Sequence, residues 1–152
     1  MGAPVALLRR VRIFESLDDR DLEQLAERFQ QRTYDRGSPV VSAGSRGLGF
    51  FVVGEGQATV RVRGEVARRL GPGDCFGEVA LIDGGKRSAD IVAESHLHCY
   101  GISRDVFRPY VQDHPDVAWA LLEELAAKLR KAEPGGDGGG GVTARLGLRR
   151  RR

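Results

Sequence analysis

Phe76-Gly77-Glu78-Val79-Ala80-Leu81-Ile82-Asp83-Gly84-Gly85-Lys86-Arg87-Ser88-Ala89-Asp90-Ile91-Val92-Ala93 is the stretch on which the reading of this chain turns. Val79, Ala80, Leu81 and Ile82 make one apolar turn's length behind Gly77 and Glu78. A glycine there lets a backbone amide come close to a ligand. If a helical turn starts at this point, its first amides have no partner within the helix and favour an anion. Arg87 follows a few residues later with a planar fork of donors that matches a phosphate. Ser88 adds a hydroxyl and another amide. Glu78 does not suit an anion site unless it serves a different group, and a carboxylate that accepts hydrogen bonds suits a sugar hydroxyl. A site that reads a phosphate with Arg87 and amides, and a ribose with Glu78, fits a nucleotide with a compact, singly charged phosphate.

Outward from this stretch the middle of the chain reads as β structure. Val40-Val41, Phe50-Phe51-Val52-Val53, Ala58 to Val62, Ile91-Val92-Ala93 and Leu97 to Ile102 are strand candidates. Thr59-Val60-Arg61-Val62-Arg63 alternates polar and apolar residues, the pattern of a half-buried strand. Gly37-Ser38, Gly44-Ser45, Gly54-Glu55-Gly56, Gly64, Gly71-Pro72-Gly73 and Gly84-Gly85 punctuate these runs as turns. Many short strands at close spacing point to a sandwich or small barrel.

Helical segments flank this region. Leu7, Leu8, Val11 and Ile13 predict a short leading helix or turn. Ser16 with Asp19 resembles a capping box with Asp in place of Glu, and Leu17, Leu22, Leu25, Ala26 and Phe29 follow near helical spacing. On the other side, Ser103 can cap a short helix to Gln112. Asp113 or His114 can cap the next, with Pro115 at its first position. That last helix carries Ala118, Leu121, Leu122, Leu125 and Leu129 on one stripe. The expected organisation is one domain over residues 1–133, with helices in 1–30, a β-roll in 31–103 and C-terminal helices in 104–133. Residues 134–152 then read as a flexible Gly-rich tail with a basic end.

Composition narrows the function classes. The 152 residues are 41% hydrophobic and 30% charged, as in an ordinary globular domain. No apolar run approaches the roughly 18 residues of a membrane helix, so no membrane span is expected. The first ten residues read as neither a secretion signal nor a myristoylation site. The two cysteines, Cys75 and Cys99, cannot make a disulfide framework, and the expected location is cytoplasmic. The formal charge of +3 is misleading as a whole. Residues 134–152 hold five arginines against one aspartate, whereas residues 1–133 hold 19 basic and 20 acidic residues. The folded part therefore lacks the charge bias usual for nucleic-acid binding.

Residues 76–93 resemble the phosphate-binding cassette of the cyclic nucleotide-binding domain family. The family pattern, Phe-Gly-Glu-x-small-aliphatic, a short spacer, then Arg-(Ser, Thr or Ala)-Ala, is met by Phe76, Gly77, Glu78, Ala80, Leu81, Arg87, Ser88 and Ala89. An upstream pattern matches at Val40, Val41, Gly44, Gly47, residues 50–53 and Gly56, with one departure at Ser45, where an acidic or amide residue is usual. The resemblance runs from about Phe14 to Lys131. It implies an α+β, mainly β fold: an eight-stranded jelly-roll (cupin-like) barrel with flanking N- and C-terminal helices. It also implies that Glu78 accepts from the ribose 2′-hydroxyl and Arg87 pairs with the cyclic phosphate. Amides of Gly77, Val79 or Ala80, and Ser88, beside Ala89, complete the cradle. Leu122, Leu125, Lys128 and Leu129 are the candidates for a lid over the base. The expected ligand is cyclic AMP, with cyclic GMP as the other candidate, because Ser after the Arg occurs with both.

The resemblance thus implies a stand-alone regulatory domain of bacterial type that binds a cyclic nucleotide and signals to an unknown protein effector. It would be a monomer or weak dimer and would need no cofactor. Residues 134–152 are too few and too glycine-rich for a recognition helix, so no sequence-specific DNA binding is expected. No nucleophile–base constellation or Walker or dinucleotide fingerprint is present, and no enzyme is expected. The alternative is a jelly-roll adaptor that ignores nucleotides, in which Glu78 and Arg87 merely pair or sit in solvent. His96 and His98 could share one strand face as in metal-binding cupins, but further ligands are missing, so a solvent-facing pair and no metal are expected. Trp119 and the leucines of the last helix are read as core. The run Arg149 to Arg152 is read as a solvated end.

Overall fold

Gly49–Glu55, the sequence Gly-Phe-Phe-Val-Val-Gly-Glu, is an apolar run without alternation, and its surroundings explain why. In the computed structural model, which describes residues 2–41, 49–78, 82 and 89–132, this strand is buried on both faces. Phe50 and Val52 point into a core shared with the helices. Phe51 and Val53 point the other way, into the core of the β-roll. A strand covered on both sides needs apolar residues at every position.

The strands among the described residues are β1 (Gln30–Tyr34), β2 (Pro39–Val41), β3 (Gly49–Glu55), β4 (Ala58–Val62), β5 (Glu65–Leu70), β6 (Cys75–Phe76), β7 (Asp90–Ala93) and β8 (Leu97–Ser103). They pair antiparallel in two four-stranded sheets, ordered β1-β8-β3-β6 and β2-β7-β4-β5. Val53, Phe76, Leu97 and Cys99 of the first sheet meet Ala58, Leu70, Ile91 and Ala93 of the second in one cluster. The fold is therefore mainly β, with eight strands in a jelly roll built from two facing sheets and helices at both ends of the chain.

The helices are α1 (Val5–Arg9), a 3-10 turn (Arg12–Phe14), α2 (Asp19–Ala26), α3 (Arg104–Asp113) and α4 (Pro115–Ala132). They cover the outer face of the first sheet. Phe14 sits at the centre of that layer, with ring centroids 6.4 Å from Phe29, 6.0 Å from Phe50 and 6.2 Å from Phe107. Ser103 caps α3 as expected, its hydroxyl accepting from the Val106 amide at 3.3 Å. The cap of α2 differs from the expectation: it is Asp18, not Ser16, and its carboxylate accepts from the Asp21 amide at 2.8 Å. Leu17 before the cap and Leu22 at the fourth helical position are both buried, the placement of a hydrophobic staple, and this fixes the later start.

Four further expectations are corrected. Trp119 is not core; it is 65% exposed. It lies about 200° around the helix from buried Val117, and Val117 and Leu121, not Ala118 and Leu122, centre the buried stripe. On β4, Thr59 is buried at 2%, its hydroxyl bonded to Glu94, while Val62, beyond a shift in the register with β5 between Val60 and Arg61, is 41% exposed. Gly54 is not a turn residue but lies within β3, where the Tyr100 ring covers it, 2.9 Å from where a Cβ would stand. His96 and His98 do not form a solvent-facing pair. β8 begins at Leu97, so His96 lies outside the strand and is exposed, whereas His98 is half-buried and stacks on Tyr100 at 5.1 Å.

Candidate functional site

The glycine-rich turn after β5 sets up the site. Asp74 accepts from the Gly71 amide at 2.8 Å and returns its own amide to the Gly71 carbonyl at 2.9 Å. Gly73, at φ +90°, donates to the Val53 carbonyl at 2.9 Å and brings the chain alongside β3. Strand β6 then pairs Cys75 with Val52 and Phe76 with Phe51, and the two phenylalanine rings stack at 5.1 Å. Immediately after it, Gly77 takes φ +97°, a left-handed backbone that costs other residues energy. That reversal delivers Glu78 to the start of a helical turn, with its side chain turned inward.

Glu78 is only 6% exposed. A carboxylate in that setting is costly unless it is paired. Its partner is Lys128 of α4, whose ammonium donates to Glu78 Oε1. The spacing on α4 explains the reach. Val117, Leu121, Glu124 and Lys128 lie four, three and four residues apart and so share one helix face. The first two pack into the core, Glu124 meets Arg12 of the 3-10 turn at 3.5 Å, and Lys128 continues the row to Glu78. Cys75 and Glu78 also line, with Val11, Phe50 and Leu121, a cavity of about 20 Å³ between the roll and the helices. Burial pushes the Cys75 thiol up to about 12, with the Glu78 charge adding to it; burial alone pushes Cys99 up to about 12. Both therefore stay protonated at neutral pH and pack as small apolar side chains.

Of the sequence-predicted site residues, Gly77, Glu78 and Ala89 are among the described residues, and Ala89 is half-buried just before β7. Val79, Ala80, Arg87 and Ser88 lie outside the described residues, as do Gly44, Ser45 and Gly47. Among the lid candidates, Lys128 reaches the site. Leu125 and Leu129 are half-buried, and Leu122 is 55% exposed, turned away from the buried face. Sequence reasoning missed Arg104, whose guanidinium donates to the Ile82 carbonyl at 3.4 Å. Its place one residue after a capping serine carried no signal for that contact. Among the described residues no group of three or more histidine, cysteine or acidic side chains could hold a metal ion. No helix among them is long and apolar enough to cross a membrane.

The family model of the cyclic nucleotide-binding domain matches residues 31–114 of the chain. The CRP-like cAMP-activated global transcriptional regulator of Mycobacterium tuberculosis is 26% identical over 130 residues, which cover 82% of this chain and 58% of that protein. The chain thus spans about three fifths of the length of the curated relatives it matches. The crystal structure of the catabolite activator protein of Thermus thermophilus superposes with a TM-score of 0.74 at 31% identity, covering 80% of this chain and 59% of that one. The regulatory domain of Toxoplasma gondii PKA, crystallised with cAMP, shares the fold at a TM-score of 0.71 and 24% identity, covering 82% of this chain and 48% of that one. With the cassette glycine in its left-handed conformation, the glutamate buried behind it, and more than half the chain under the family model, this chain belongs to the cyclic nucleotide-binding domain family.

Proposed function

We propose that this chain is a regulatory cyclic nucleotide sensor whose ligand is cyclic AMP. The observation that carries the reading is Glu78: a buried carboxylate placed by a left-handed glycine at the first position of a helical turn. A buried carboxylate that keeps acceptor capacity beside its Lys128 partner suits a sugar hydroxyl. The ribose 2′-hydroxyl donates to Glu78. Arg87 pairs with the cyclic phosphate, and amides from Gly77, Val79 or Ala80, and Ser88 close around it beside Ala89. The base lies against the roll under α4. The mycobacterial relative is cAMP-activated and the Toxoplasma regulatory domain was crystallised with cAMP, which supports that nucleotide over cyclic GMP.

Residues 1–133 act in this reading as one domain, with residues 134–152 as a tail. The output is mechanical rather than chemical. Ligand favours the conformation with α4 drawn over the base, and it shifts that population only by its differential affinity for the two states. The role is that of a cytoplasmic regulator, monomeric or weakly dimeric, that answers to a protein effector.

Calorimetric titration with cyclic AMP and cyclic GMP, repeated on Arg87→Ala, tests this. Removing one side of a buried charge pair costs about 2–5 kcal/mol, so the variant is expected to lose at least ~30-fold in affinity. No binding of either nucleotide by folded, ligand-free protein overturns the sensor reading and favours a nucleotide-independent adaptor.

A further inference from the structure

We propose that the groove between helix α4 and the 3-10 turn is a docking surface for the arginine-rich segment of this same chain, residues 145–152. The groove has a volume of about 460 Å³ and lies between Arg12 and Glu15 on one side and Asp116, Trp119, Glu123 and Glu124 of α4 on the other. Four carboxylates thus share it with one guanidinium. Arg12 meets Glu124 at 3.5 Å. Among the described residues, Glu15, Asp116 and Glu123 make no salt bridge, and all three are exposed. Asp116, Trp119 and Glu123 are three and four residues apart, so they share one face of α4. Trp119 stands exposed among these carboxylates, and Leu122, its neighbour one turn along the helix, is exposed as well. An arginine side chain suits such a surface. Its planar guanidinium stacks on an indole face while its N–H groups reach carboxylates at the edge.

The chain carries the complementary chemistry itself. Arg145-Leu146-Gly147-Leu148-Arg149-Arg150-Arg151-Arg152 brings five guanidiniums and two leucines without a single acidic residue. The arginines match the carboxylates, and the leucines match the apolar surface of Trp119 and Leu122. The lengths agree too. Trp119 lies 13 residues before Ala132, the last residue of α4, or about 20 Å back along the helix. Residues 133–144 join α4 to the arginine segment and include six glycines. A glycine-rich chain of twelve residues has an r.m.s. end-to-end distance of about 17–21 Å. A tether whose average length equals the span gives its group the highest effective concentration at the site. Each exposed ion pair is weak and screened by salt, so the contact is one that ionic strength or a competing polyanion releases. The docked segment holds its arginines against the domain's own surface, and an external polyanion has to displace it. This inference is independent of the reading of Glu78.

Trp119 is the single tryptophan of the chain, so its fluorescence reads the groove directly. The test is acrylamide quenching of the full chain at low salt. It is repeated on a protein with Arg145→Ser, Arg149→Ser, Arg150→Ser, Arg151→Ser and Arg152→Ser together. It is also repeated on a protein with Glu15→Gln, Asp116→Asn and Glu123→Gln. Neither set removes a core residue. The unsubstituted chain is expected to give a quenching constant roughly half that of either variant, since a stacked arginine covers one face of the ring. Raising the salt from about 0.05 M to about 0.5 M is expected to bring it to the level of the variants and to change the variants little. Exchanging the signs, with Glu15→Arg and Glu123→Arg set against Arg149→Glu, Arg150→Glu, Arg151→Glu and Arg152→Glu, is expected to restore the protection. Equal quenching of the unsubstituted and arginine-free proteins at low salt overturns the inference and leaves the arginines to an external polyanion such as nucleic acid. Protection that vanishes on dilution from about 100 to about 1 µM also overturns it, because a tethered segment is indifferent to protein concentration. That result assigns the groove to a second copy of the chain.

Discussion

Thr59 shows how a polar residue can be buried on a strand whose apolar neighbours, Ala58 and Val60, face the roll core. Its hydroxyl is buried because it has a partner, donating to Glu94 Oε2 at 2.7 Å, while Arg61 Nη2 reaches the same oxygen at 3.1 Å. These contacts, the Thr59 hydrogen bond foremost and Arg61 after it, hold the Glu94 carboxyl below the ordinary glutamate range. A carboxyl lowered by folding contributes stability that is present above its unfolded pKa. That stability is lost as the pH falls through the folded value. Thr59→Val is therefore expected to raise the Glu94 titration toward the ordinary value in an NMR pH series and to remove this part of the acid sensitivity. An unchanged Glu94 titration contradicts the assignment. At this scale the sequence is informative where one residue type suffices for the geometry. Gly77 is the clear case, since its left-handed backbone is the conformation a glycine tolerates. The Glu78–Lys128 pair was not legible as a contact, because nothing local joins positions 50 residues apart. It emerges only when the row Val117, Leu121, Glu124, Lys128 is laid on a helix.

At the scale of elements, boundaries depend on which of two adjacent signals the core selects. For α3 the signals agree: Ser103 ends β8 and caps the helix, its hydroxyl accepting from the Val106 amide. Ser103→Ala is expected to cost about 1 kcal/mol of stability in urea denaturation, with no cost if the cap is incidental. For α2 both Ser16 and Asp18 can cap, and burial of Leu17 decides for Asp18. Strands were legible where apolar runs met glycine, as in β3, β4, β7 and β8. They were not legible in β1, with the sequence Gln-Gln-Arg-Thr-Tyr, or in β5, Glu-Val-Ala-Arg-Arg-Leu. Both are edge strands of their sheets and largely exposed, and charged edges guard against pairing with other chains. Such strands are specified by their neighbours, β8 and β4, rather than by their own composition. β6 has two residues and no periodicity to read.

For the whole molecule, the two-core arrangement places the site. β3 and β8 divide their side chains between the helical layer and the roll. The helices at both ends of the chain are thus packed on the same sheet that carries β6 and the turn into Glu78. The pattern of helix, short strands and helix was legible in the sequence. The cluster of Phe14, Phe29, Phe50 and Phe107 was not, since it gathers rings from four separate stretches. In the proposed reading a ligand at the cassette is felt at α4 through this shared layer: Leu121 and Cys75 meet at one cavity, and Lys128 meets Glu78 directly. The most direct test is amide hydrogen exchange, read along the chain with and without saturating cyclic AMP. Exchange is expected to slow in two places together, over residues 77–89 and over the part of α4 from Leu121 onward. Unchanged exchange in both places at saturating nucleotide would contradict a sensor that couples its cassette to α4.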